Sequence, residues 1–116
     1  MKGGYHRHPC TVWVGTSLPN YLWAAHHGIA LCHEYHFRYR KRHWCHSPIE
    51  QLLSWANDLD FPQAEATPPA QAMPEDFHMP DPVDAYRAYY SYKTSIMDVS
   101  YNRNREQPWW LQREPA

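Results

Sequence analysis

YHRHPCTVWVGTSLPNYLWAAHHGIALCHEYHFRYRKRHWCH, residues 5–46, holds the longest apolar pattern in the chain, eight of its nine histidines, all three cysteines and its densest basic cluster. Within it Leu18, Leu22, Ala25, Ile29 and Cys32 recur at spacings of four and three, and Tyr21, Gly28, Leu31, Tyr35 and Tyr39 widen the same stripe. That is the period of an α-helix with one buried face. Ser17 is a good N-cap, Pro19 suits the first turn, and Arg40, Lys41, Arg42 and His43 gather where cations favour the negative end of the helix dipole. The pattern predicts one helix from near Leu18 to near Arg42, roughly 24 residues and about 36 Å long. A glycine in mid-helix costs about 1 kcal/mol relative to alanine, so Gly28 points to close packing against another element, with a local kink as the alternative.

On either side the signals are shorter. Pro9 opens about two helical turns through Cys10–Val14, stopped by Gly15, Thr16 and Ser17, with a strand over Thr11–Val14 as the alternative. Ser47-Pro48-Ile49-Glu50 is a capping box, and Ile49, Leu52, Leu53 and Ala56 continue it as a second helix to Asp58 or Leu59, with Trp55 at the edge of the core. Residues 60–80 contain five prolines and several acids, which predicts a long irregular segment anchored by Phe61, Met73, Phe77 and Met79. Asp81-Pro82-Val83-Asp84 then starts a helix to about Ile96, with Val83, Tyr86, Tyr90 and Met97 on its apolar face. Residues 98–116 form a tail in which Pro108-Trp109-Trp110-Leu111 is an apolar plug. The expectation is a single all-α domain over residues 1–116, built on one long helix and carrying a proline-rich loop.

At 116 residues the chain can bury a core, and an aromatic share of 16% with six tryptophans argues against disorder. No apolar run is long enough to span a membrane and no leader opens the chain. Three cysteines, Cys10, Cys32 and Cys45, make no disulfide framework. These features predict a soluble cytoplasmic protein with no membrane partner. Net charge is −1, but residues 1–46 carry six Lys/Arg against one acid, residues 47–84 none against eight, and residues 85–116 five against three. Basic ends flank an acidic middle.

The basic cluster is the main candidate for chemistry. Arg38, Arg40, Lys41, Arg42 and His43, interleaved with Tyr39 and Trp44 and joined by Arg7 and His8, combine phosphate-gripping cations with rings on which bases stack. An ordinary solvated helix end has the same composition. Arg87 and Lys93 among Tyr86, Tyr89, Tyr90 and Tyr92 offer a second stacking face, or simply a core. Glu34, the one acid of the basic half, is the candidate catalytic carboxylate, although four residues before Arg38 it also suits an i, i+4 ion pair. Cys32, His36, Cys45 and His46 are the alternative zinc set, with a C-x3-H and C-H spacing unlike the usual zinc patterns. Phosphate-binding glycine loops, nucleophile elbows and H-E-x-x-H are absent from the sequence, and no cofactor is implied.

His8-Pro9-Cys10-x-Val12-Trp13, Ser17-Leu18-x-Asn20-Tyr21-x-Trp23, Gly28-x-Ala30-Leu31-Cys32-x-Glu34-Tyr35 and Arg38-Tyr39-x-Lys41-x-His43, with Thr67–Pro74, Asp81–Tyr90 and Pro108–Trp110, run the length of the chain. In these pieces it resembles a group of uncharacterised bacteriophage proteins. Over about Gly4–Tyr39 that group is distantly similar to the pyrimidine dimer DNA glycosylases of the endonuclease V type. The resemblance implies a helical fold and DNA as partner, in the cytoplasm of a host cell if the protein is phage-encoded. In the glycosylases an N-terminal amine attacks the damaged sugar with help from a carboxylate, chemistry that needs an activated amine and an extrahelical base. The helix that carries those groups has no counterpart before His8, so the expectation is either a fragment or late-start version of such a protein or a non-catalytic relative that keeps the binding half, with DNA glycosylase or lyase activity as a further alternative. The alternative is a non-enzymatic module engaging a host or virion protein through the proline-rich segment and the tryptophan tail.

Overall fold

A computed structural model describes residues 6–97, 101 and 106–111. It is mostly helical, with no strand among the described residues beyond a single isolated bridge. The chain divides into two compact units, residues 1–68 and 69–116, and the division falls between Pro68 and Pro69. The proline-rich segment predicted as one loop of a single domain therefore contributes to both units. The opening residues 1–5 and most of the tail, residues 98–100, 102–105 and 112–116, lie outside the described residues.

In the first unit, α1 spans Pro9–Val14, α2 Leu18–Tyr39 and α3 His46–Ser54, followed by a 3-10 turn at Ala56–Asp58. α1 is a helix rather than the alternative strand. His8 caps it, its Nδ1 accepting the Cys10 N–H at 3.1 Å. α2 begins as predicted, with Ser17 Oγ accepting the Asn20 N–H at 3.2 Å, but it stops three residues short of Arg42. The stop is Arg40, which turns into the left-handed region at φ 55°, ψ 32° and donates its N–H to the His36 carbonyl at 2.8 Å. This is the geometry usually given to glycine at a helix C-terminus. Residues 40–45 therefore form a loop rather than a basic helix end.

The capping box predicted at Ser47–Glu50 does not form. α3 starts at His46 with Cys45 as N-cap and no side-chain cap bond. Both members of the box are engaged elsewhere, Ser47 Oγ accepting from the Arg42 guanidinium at 3.1 Å and Glu50 at 2.5 Å. Pro48 still falls in the first turn, where its missing N–H costs no helical bond. α2 and α3 run antiparallel, as three pairings show. Tyr21 donates its hydroxyl to the Leu52 carbonyl, Gly28 faces Ile49, and the rings of His33 and His46 lie 5.3 Å apart. A Cβ on Gly28 would stand 3.0 Å from Ile49 Cδ1. Close packing is thus the reason for glycine there.

The best-buried side chains of this unit are polar. Ser17 is fully buried and Asn20 is 1% exposed, whereas Leu18, Leu22 and Ile29 of the predicted stripe are only half-buried and Tyr21, Ala25 and Cys32 complete the buried face. Asn20 Nδ2 donates to the Trp13 carbonyl and to Thr67 Oγ1, both at 2.9 Å, and Oδ1 accepts the Thr67 N–H at 3.0 Å. Trp13 Nε1 donates to the Thr67 carbonyl at 2.9 Å, and the Gln63 N–H to the Thr16 carbonyl at 3.0 Å beside the Ser17–Gln63 bridge. One asparagine thereby ties α1, α2 and the segment after α3 together, and no buried side-chain donor or acceptor among the described residues is left without a partner. Trp13 edge-on to Trp23 at 5.8 Å and Tyr21 against Phe61 at 5.5 Å close the apolar flanks. Trp55 is exposed rather than covering the core.

The second unit is built on α4, Pro82–Ile96, which Asp81 caps through Oδ1 to the Val83 N–H at 2.9 Å, as its sequence predicts. Ala85 is fully buried and Leu111 nearly so. Tyr86 holds the proline-rich chain against α4, its hydroxyl donating to the Ala70 carbonyl and accepting the Ala72 N–H at 3.0 Å. Gln71 pairs with both backbone groups of Met79, and Phe77, in a 3-10 turn at Glu75–Phe77, lies 5.2 Å from Tyr89 and Tyr92. Of the predicted anchors, Met79 is exposed, because its backbone rather than its side chain makes the attachment. In the tail, Trp110 packs on Tyr90 at 5.6 Å, but Trp109 is 86% exposed.

Candidate functional site

Where α2 ends, the chain turns back through residues 40–45 into α3, and this reversal gathers most of the predicted site. The early stop at Arg40 turns the basic run outward. Arg40 and Lys41 are exposed and have no ion-pair partner among the described residues. Arg38 is held by Glu34, Nε to Oε1 at 2.9 Å, and Arg42 by Glu50 at 2.5 Å. Two of the four cations in this run, Arg38 and Arg42, thus already have a carboxylate partner within the chain. Glu34, the candidate catalytic acid, is accounted for as the i, i+4 partner of Arg38.

Rings accompany the charges. Tyr39 packs on Tyr35 at 4.8 Å, Tyr35 meets His43 edge-on at 4.8 Å, and His43 stacks with Trp44 at 6.0 Å and 24°. The two outer members of this ladder are open to solvent, Tyr39 at 52% and Trp44 at 80%. His43 is fixed from beneath, Nδ1 accepting the Cys45 N–H at 3.0 Å. Arg7 and His8 are not part of the ladder. They precede α1, whose ring contact on α2 is at Trp23, about 22 Å along the helix from Arg38, and His8 serves as a helix cap.

Two hollows flank this reversal, and neighbouring residues divide between them. Cys32, Tyr35, His43 and Cys45, with Gly28, Leu31 and Ile49, line an apolar hollow of about 320 Å³. The adjacent residues His33, His36, Arg42 and His46 line a polar one of about 310 Å³. The alternative zinc set is split by this arrangement, Cys32 and Cys45 facing one hollow and His36 and His46 the other. Among the described residues no three His, Cys, Asp or Glu side chains are placed to hold a metal. The doublets Cys32-His33, Tyr35-His36, Arg42-His43 and Cys45-His46 were visible in the sequence, but their division between two hollows follows from the antiparallel α2–α3 register.

No family model, curated protein or solved structure matches the chain. No helix among the described residues is long and apolar enough to cross a membrane.

Proposed function

We propose that the chain is a DNA-associated protein that holds the phosphate backbone with Arg40 and Lys41 and stacks unpaired bases on Tyr39 and Trp44. The observation that carries this reading is the pairing of two cations without an ion-pair partner, Arg40 and Lys41, with two exposed rings, Tyr39 at the end of α2 and Trp44 in the reversal. Arg40 and Lys41 are exposed and have no ion pair to break among the described residues, which directs the reading to them before Arg38 and Arg42. The resemblance to the phage group supports DNA as partner, and the engagement of Glu34 by Arg38 favours binding over glycosylase or lyase chemistry. Three cysteines that make no disulfide framework suit a reducing cytoplasm, that of a host cell if the protein is phage-encoded.

Fluorescence titration with single-stranded, duplex and ultraviolet-damaged DNA at two salt concentrations tests the reading. Single strands should bind most tightly, and removing Arg40 and Lys41 together should lower the salt slope by about one per lost contact. Trp44→Ala should weaken single-strand binding by about 1–3 kcal/mol. Affinity that survives both changes and high salt overturns it.

A second reading rests on the other unit. There Trp109 stands exposed with the Arg87 guanidinium 5.3 Å from its ring, a surface suited to a protein partner of the host or virion. Trp109→Ala would then reduce capture of that partner while leaving DNA titrations unchanged.

A further inference from the structure

The polar hollow is not used by the stacking ladder, yet its lining has one chemical character. His33 and His36 come from α2, Arg42 from the reversal and His46 from the first turn of α3. Every one of these side chains carries N–H donors. The charged groups facing it are Arg42, the Glu50 carboxylate at 2.5 Å from Arg42 and 3.4 Å from His46 Nε2, and the imidazoles themselves, with Ser47 Oγ at 3.1 Å from the guanidinium. His43 faces the other hollow. We propose that this hollow seats a tetrahedral oxyanion of the phosphate or sulfate class, with Arg42 as the fixed charge and His33, His36 and His46 as N–H donors along its lining.

Three points support an anion over other occupants. The lining offers no set of ligands for a cation. The guanidinium presents several donors in one plane and matches oxyanions in pairs of bonds. Glu50 already occupies an acceptor position against Arg42 and His46, so a carboxylate oxygen in the protein marks where an external oxygen would bind. At neutral pH Glu50 offsets Arg42. The seat shares Arg42 with the loop of the DNA reading, and in that respect it rests on the same placement of residues 40–45. Its ligand is the oxyanion itself, whether free or in a nucleic-acid backbone.

Titration with inorganic sulfate tests the seat, read by the imidazole resonances of the full chain. The expected result is saturable binding that moves the His33, His36 and His46 signals together. Glu50→Gln should tighten sulfate binding severalfold, and His36→Gln, at an exposed position on α2, should weaken it. An adventitious ion only, shown by equal movement of His26 and His27 or by no response to either substitution, overturns the proposal. A thymidine oligonucleotide run beside the sulfate separates the two readings. Lys41→Ala should lower oligonucleotide affinity and leave sulfate unchanged. Sulfate binding without oligonucleotide binding rejects the DNA reading alone, and the reverse rejects the oxyanion seat alone.

Discussion

The two ends of α2 are solved in opposite ways. At its start, Ser17 and Asn20 are buried and every polar atom of the Asn20 amide has a partner, so the helix is anchored by a closed hydrogen-bond network. At its end, Arg40 takes a left-handed conformation, the cations split between internal ion pairs and solvent, and Tyr39 and Trp44 remain uncovered. Buried polar networks are stabilising only when complete. Exposed aromatics and a backbone conformation that favours glycine both lower stability locally, and such features gather where a surface must meet a partner. On the proposed DNA reading, the contrast places stability at one end of the helix and recognition at the other.

Asn20→Ala is the severest way to break that contrast. It would leave the Thr67 N–H without its acceptor and strip the Trp13 carbonyl and Thr67 Oγ1 of the amide that donates to them, and the unit should lose about 2–4 kcal/mol, measured by urea unfolding followed through tryptophan fluorescence. A loss below about 1 kcal/mol would mean that water replaces the amide and that the network does not anchor the helix. At the other end Arg40→Gly should act in the reverse sense, stabilising the unit by up to about 1 kcal/mol because glycine enters the left-handed region without strain. The same change should weaken DNA binding, since it removes one of the two unengaged cations. Stability and affinity moving in opposite directions would sharpen the division, and their moving together would end it. Gly28→Ala, midway between the ends, has the smallest expected effect. The gain in helix propensity, about 1 kcal/mol, is opposed by the Cβ at 3.0 Å from Ile49 Cδ1. Ile49 is half-buried and that atom is the tip of its side chain, so the net change should be near zero. In an Ile49→Val background, where the obstructing methyl is gone, the substitution should become stabilising, as a double-mutant cycle would show.

The sequence reading was most successful where the determining contact is local. Ser17 and Asp81 announce their helices because an N-cap side chain bonds a backbone N–H only two or three residues on, and Pro9 announces α1 because its fixed φ suits the first helical position. Gly28 was legible for the same reason that it is rare in mid-helix. The end of α2 was overrun by three residues because Arg40 and Lys41 are good helix formers and neither glycine nor proline marks the stop. Ser47 and Glu50 were a sound capping-box pattern, but Arg42 stands five and eight residues away and captures both side chains. The Arg38–Glu34 pair could be read from its spacing, whereas the neutralisation of Arg42 could not. Asn20 was missed altogether, since its partner Thr67 lies in a proline-rich stretch whose composition gives no sign of pairing. The charges of the candidate site were legible, and which of them remain available was not.

The bond from the Thr67 N–H to Asn20 Oδ1 spans 47 positions of chain. Closing a loop of that length is an entropic step that local helix formation does not supply, so the contact exists only when the segment beyond α3 has returned to the start of α2. The Thr67 amide hydrogen should therefore exchange with solvent deuterium only through opening of the whole first unit, while the Arg40 amide, bonded four residues back at a helix end, should exchange through fraying. Two protons at opposite ends of one helix would then report two different free energies.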